Sequence, residues 1–60
     1  MQKIIVLDFE TGSIHIFDYD SNVWEDCLEF LESEEVKKFI PNGSSNTQYM
    51  VVDRMNIEIH

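Results

Sequence analysis

Two groups of residues in this sequence have the types and spacing of a metal site. Asp8 and Glu10 stand two apart at the end of an apolar run, in the stretch "VLDFETGS". Side chains two apart on a strand project to the same side, so both carboxylates can reach one divalent cation. Two-metal phosphoryl transfer uses such a pair, provided that further carboxylates converge on it from other elements. The second group is Asp18, Asp20, Asn22, Asp26 and Glu29. These residues fall on positions one, three, five, nine and twelve of a calcium-binding loop, whose sixth position should be a glycine. Here that position is Val23.

The elements that must hold these groups argue against both chemistries. Asp-x-Glu-Thr-Gly at the end of a strand resembles the first metal motif of the DnaQ-like 3′–5′ exonucleases. That resemblance implies further ligands from two later aspartate motifs, with a His or Tyr to orient the attacking water. The downstream candidates are Asp53 and His60, and neither sits in a matching motif. The family's fold also needs a larger sheet flanked by several helices, more than 60 residues can build. The residues themselves read as a β-hairpin, with Asp8 ending a strand and Glu10-Thr11-Gly12 making a three-residue loop. Gly12 then takes the left-handed position. The would-be calcium loop resembles an EF-hand but follows a strand instead of a helix. Asp18 to Glu29 reads more simply as a strand end and a helix N-terminus, where acids cap N–H groups and favour the dipole. A weak divalent-metal (calcium or magnesium) module on Asp18, Asp20, Asn22, Asp26 and Glu29 stands as the alternative to a chain with no cofactor and no catalytic role.

The remaining chemistry-bearing residues stand alone. Cys27 sits on an expected helix stripe and reads as a small core residue, since a nucleophile needs a base and an electropositive setting. His15 alternates with apolar neighbours and has no second ligand at a metal spacing. Trp24 reads as a core anchor.

Lys3 to Phe9 and Ile14 to Tyr19 are the expected hairpin strands. The three-residue loop pairs Leu7 with His15 and Ile5 with Phe17. A helix follows, with Asn22 and Glu25 resembling a capping box. Its apolar stripe is Val23, Trp24, Cys27, Leu28 and Leu31. That stripe is out of phase with Val36, Phe39 and Ile40, so the helix should break near Ser33, which caps a second helix from Glu34 to Phe39. Pro41 and Asn42-Gly43-Ser44-Ser45-Asn46 make a loop. Thr47 to Val52 is a third strand, and Ile57 to Ile59 is a fourth strand or a tail. The expected fold class is α+β, a ββαβ(β) antiparallel sheet with the broken helix on one face, in a single domain spanning residues 1–60.

A chain of 60 residues has a marginal core. With one cysteine it has no internal disulfide, and that count, with an N-terminal apolar run too short for a signal peptide, fits a reducing, cytoplasmic setting. No segment is long enough to span a membrane. The net charge is −8, and all of the twelve acids except Asp53 and Glu58 lie between Asp8 and Glu35. That field repels phosphate, so direct nucleic-acid binding is disfavoured and a charged partner should be basic.

Both faces of the expected hairpin are apolar. With this pairing one face shows Ile4, Val6, Ile14 and Ile16, and the other Ile5, Leu7, Phe9, Phe17 and Tyr19. A sheet covered on one side should alternate apolar with polar, so the second apolar face marks a contact surface. Ile5, Leu7, Phe9, Phe17 and Tyr19 are the candidates for it, and a homodimer is its simplest occupant. Glu25, Asp26, Glu29, Glu32, Glu34 and Glu35 are the candidates for an acidic surface that meets a basic partner, in its sharpest form as an inhibitor mimicking nucleic-acid charge. The segments "KIIVLDFETGSIHIFDYD" and "QYMVVDRMNIEIH" resemble small proteins encoded by gut bacteria and their phages, a group that brings no activity with it.

Overall fold

β-Branched residues and a polar turn build the hairpin. The computed structural model, which describes residues 2–60, places β1 at Gln2–Asp8 and β2 at Ser13–Tyr19. Asp8 shapes the loop between them. Its carboxylate accepts from the Glu10 N–H at 3.0 Å and from the Thr11 hydroxyl at 3.1 Å. Its carbonyl accepts from the Gly12 N–H at 2.8 Å, with Gly12 at φ 71°. Gly12 therefore takes the expected left-handed conformation, but the loop is Phe9–Gly12, four residues instead of three. Asp8 pairs with Ser13, Val6 with His15 and Ile4 with Phe17. Side chains alternate with period two, so this one-residue difference swaps the faces of β2.

α1 spans Cys27–Leu31, α2 spans Glu34–Lys37 and β3 spans Thr47–Val52. The sheet is antiparallel throughout, in the order β2-β1-β3. With two short helices beside it, the fold is α+β as expected. α1 begins later than the capping box at Asn22 suggests. The Asp20 carboxylate accepts from the Asn22 N–H at 2.9 Å, and the Asp20 carbonyl accepts from the Val23 and Trp24 N–H groups. Short acidic and amide side chains compete with the helix in this way. The cap is Asp26, whose carboxylate accepts from the Glu29 N–H at 2.8 Å.

The core is Ile4, Val6, Tyr19, Phe30, Leu31, Val36 and Ile40, with Phe17, Trp24, Cys27 and Val51 packed against it. Val23 and Leu28, expected in the stripe, are exposed. Phe30 takes their place. Its ring meets Tyr19 and Trp24 edge-on at 5.3 Å and Phe17 at 6.0 Å, the geometry that aromatic quadrupoles favour. The break at Ser33 is present and Ser33 is the N-cap of α2, but its hydroxyl donates to the Phe30 carbonyl at 2.6 Å and makes no side-chain cap bond. α2 stops short of Phe39, which is exposed, while Ile40 turns back into the core.

Glu32, at the end of α1, ties down the loop before β3. Its carboxylate accepts from the Ser44 N–H at 3.0 Å and hydroxyl at 2.8 Å, and pairs with Lys37 at 2.9 Å. The Ser44 backbone bond, then the Lys37 and Ser44 side chains, hold its pKa down from 4.5 to about 2. A lowered carboxyl pKa stabilises the fold above the unfolded value and ceases to do so as pH falls through the folded one. The expected result is a component of acid unfolding between about pH 4.5 and 2 that Glu32→Gln removes, read from melts over that range.

Gly43 lies against the same carboxylate at φ 62°, where an added Cβ would stand 2.7 Å from both oxygens. Gly43→Ala should therefore destabilise by about 1–2 kcal/mol through left-handed strain. It should also move the Glu32 pKa back toward its ordinary value in an NMR titration, because the carboxylate must leave Ser44.

Candidate functional site

The register divides the sheet residues into two sets. Ile4, Val6, Phe17 and Tyr19 face the helices. The opposite, outer face carries Ile5 and Leu7 from β1, Ile14 and Ile16 from β2, and Met50 and Val52 from β3. No helix covers it. Ile14 is 67% exposed and Met50 57%. A shallow, almost wholly apolar groove runs along it between Ile5, Leu7, Gln48, Tyr49 and Met50. The charged residues of this face are Lys3 and Asp18, which pair with each other across β1 and β2 at one end. The face is thus neutral in a chain of net charge −8.

Of the candidates for the apolar contact, Ile5 and Leu7 are on this face. Phe17 and Tyr19 are not. They point into the core, because the longer Asp8 loop shifts the pairing and because Phe30 needs aromatic neighbours. Phe9 is exposed in the loop itself, outside the strand. Ile14, Ile16 and Met50 belong to the surface in their place. The signal for Ile14 and Ile16 is Asp8, a residue that bonds its own backbone two positions on and so lengthens a turn, whereas Met50 is placed by pairing opposite Ile5.

The acidic candidates are all exposed, though not equally free. Glu25, Glu29, Glu34 and Glu35 make no side-chain hydrogen bond or ion pair among the described residues, whereas Asp26 caps α1 and Glu32 holds the Ser44 loop. The five calcium-loop residues are not brought together. Asp18 pairs with Lys3, Asp20 closes its own turn, and Asp26 serves Glu29. Among the described residues, no three His, Cys, Asp or Glu side chains cluster at a metal-holding distance. Asp8 is buried by its loop, and the Glu10 carboxylate turns to the Asn46 side-chain amide at 3.2 Å. The opening motif is therefore spent on a turn.

Tyr19 and Cys27 approach each other, with hydroxyl and sulfur 3.7 Å apart. Burial, then the neighbouring thiol, pushes the Tyr19 pKa up to about 12. A raised phenol stays protonated, which suits a core residue. Among the described residues, no helix is long and apolar enough to cross a membrane. Comparison with models of protein families, with curated proteins and with solved structures gives no match, so the geometry of the outer face carries the functional reading.

Proposed function

We propose that this protein is non-catalytic and works through protein–protein contact, as a homodimer whose copies pack outer sheet face on outer sheet face. The observation that carries this is the continuous row Ile5, Leu7, Ile14, Ile16 and Met50, left in water by the chain's own helices. Apolar surface of this kind gains about 25 cal/mol for each Å² removed from water. A second copy fits because the face is neutral, its Asp18 paired with Lys3, while the other acids except Asp8 at the end of β1 lie on helices, loops and residues 53–60. The Cα atoms span 34 × 27 × 15 Å, so two stacked slabs keep their acidic sides apart. At physiological salt, charges farther apart than about 8 Å are largely screened. Association should therefore strengthen as salt rises.

In this arrangement Glu25, Glu29, Glu34 and Glu35 remain in solvent on each copy and offer a basic partner a surface of opposite sign. The lone cysteine fits a reducing, cytoplasmic compartment.

The test is dilution followed by methyl NMR. The methyl resonances of Ile5, Leu7, Ile14, Ile16 and Met50 should shift together with concentration, while those of Val23 and Leu28 on the helical side stay fixed. Shifts confined to Val23 and Leu28 would place the contact on the wrong side and refute the reading.

A further inference from the structure

The sheet face is small for a stable dimer. Three strands about 4.8 Å apart and six residues long project a footprint on the order of 300 Å². A standard interface removes about 800 Å² from each partner. More of the chain must take part, and one segment is unoccupied. Residues 53–60 make no hydrogen bond or ion pair among the described residues and lie in solvent. They alternate: Met55, Ile57 and Ile59 are apolar, and Asn56, Glu58 and His60 are polar. That is the pattern of a strand with one buried face. Ile57 is 63% and Ile59 91% exposed, so the apolar face of this strand lacks its sheet.

We infer that the two copies exchange these tails, each adding a fourth strand to the β2 edge of the other. This rests on the homodimer proposed above. A two-fold axis parallel to the strands keeps both Lys3–Asp18 pairs at one rim and sets β3 of one copy over β2 of the other. β3 ends at Val52, which is level with Lys3 and Asp18. The three steps from Val52 to Met55 reach about 10 Å when extended, which is the spacing of stacked sheets. The tail then runs antiparallel to β2 of the second copy. Met55 then stands opposite Asp18 of that copy, and Arg54, which has no ion-pair partner among the described residues, lies one residue earlier in the crossing. Ile57 falls beside Ile16 and Ile59 beside Ile14, the most exposed apolar residue of the sheet face. Addition of a strand to an open edge is a recognised mode of association, with main-chain bonds giving affinity and alternate side chains giving register.

A mixed sample of full-length chains tests this, one population carrying ¹³C-labelled isoleucine methyl groups and the other unlabelled. Isotope-filtered NOEs should connect Ile57 and Ile59 of one chain with Ile14 and Ile16 of the other. Filtered NOEs limited to Ile5, Leu7 and Met50 would overturn the exchange and leave the dimer standing. A sample that is monomeric at millimolar concentration would overturn both. As a second measurement, Ile57→Asp with Ile59→Asp should raise the dimer Kd at least tenfold, with the far-UV circular dichroism of the monomer unchanged. An unchanged Kd counts against the exchange.

Discussion

Phe30→Ala is expected to abolish cooperative unfolding at room temperature, leaving a chain without near-ultraviolet circular dichroism from Trp24. Phe30 is 3% exposed, and its ring touches Phe17, Tyr19 and Trp24. Truncating a buried phenylalanine removes about 3–5 kcal/mol. A single core in a chain this short rarely supplies more than about 3–5 kcal/mol in total. The loss is therefore comparable to the whole stability. Phe30 also fastens α1 to both ends of the fold's aromatic group, so the cavity would open between helix and sheet, where nothing else fills it. A cooperative melt lowered by less than about 1 kcal/mol would show that the aromatic group is not the centre of the core. Phe39→Ala is the comparison. Phe39 is 62% exposed and lies 6.0 Å from the Phe17 ring at the edge of the cluster. Surface changes of that kind generally stay within about ±0.5 kcal/mol, and its tilted contact with the Phe17 ring sets the upper end of what it can lose.

Ile14→Glu combined with Met50→Glu should separate the copies while leaving each one folded. Both side chains are more than half exposed in the single chain, so the folding penalty is small. In the stacked pair they lie in an apolar layer, where an unpaired carboxylate carries a desolvation penalty of several kcal/mol. Loss of roughly 3 kcal/mol corresponds to an increase in Kd of more than about 100-fold. Leu28→Glu adds one such charge on the helical side, at a residue 51% exposed, and should leave association almost unchanged. If Leu28→Glu dissociates the protein as strongly as the sheet pair does, net charge and not the outer face governs assembly.

Much of the fold was legible because its signals are local. The β-branched run at Ile4 to Val6, the turn glycine at Gly12, the phase slip at Ser33 and the strand Thr47–Val52 each depend on residues close in sequence. The faces of the hairpin were harder to read. They turn on whether Asp8 bonds to the Glu10 N–H, a single local interaction with consequences along all of β2. The start of α1 is hard to read for a similar reason, since Asn22 and Asp26 are both good caps, and the later start is the one with Phe30 packed against Tyr19. Phe30 itself has no periodic signal that separates it from Leu28. Its role comes from ring neighbours at Phe17 and Tyr19, which are distant in sequence. For the candidate surface, two apolar faces are evident from the strand pattern, and Ile5 and Leu7 lie on the side that the helices leave open. Ile14, Ile16 and Met50 replaced Phe17 and Tyr19 once the register was known. The acids were visible as a block, but their division into structural ones, Asp26 and Glu32, and free ones required the loop at Ser44 to come back against α1.

The most direct test of the central claim is the solution mass by sedimentation equilibrium, over a wide range of concentration and at two salt levels. The expected mass climbs from 7.1 kDa toward twice that value as concentration rises, with the climb starting at lower concentration in higher salt. A mass fixed at 7.1 kDa up to millimolar concentration at both salt levels would contradict it, and Ile5, Leu7, Ile14, Ile16 and Met50 would then be an apolar face that this chain leaves in water without a copy of itself to cover it.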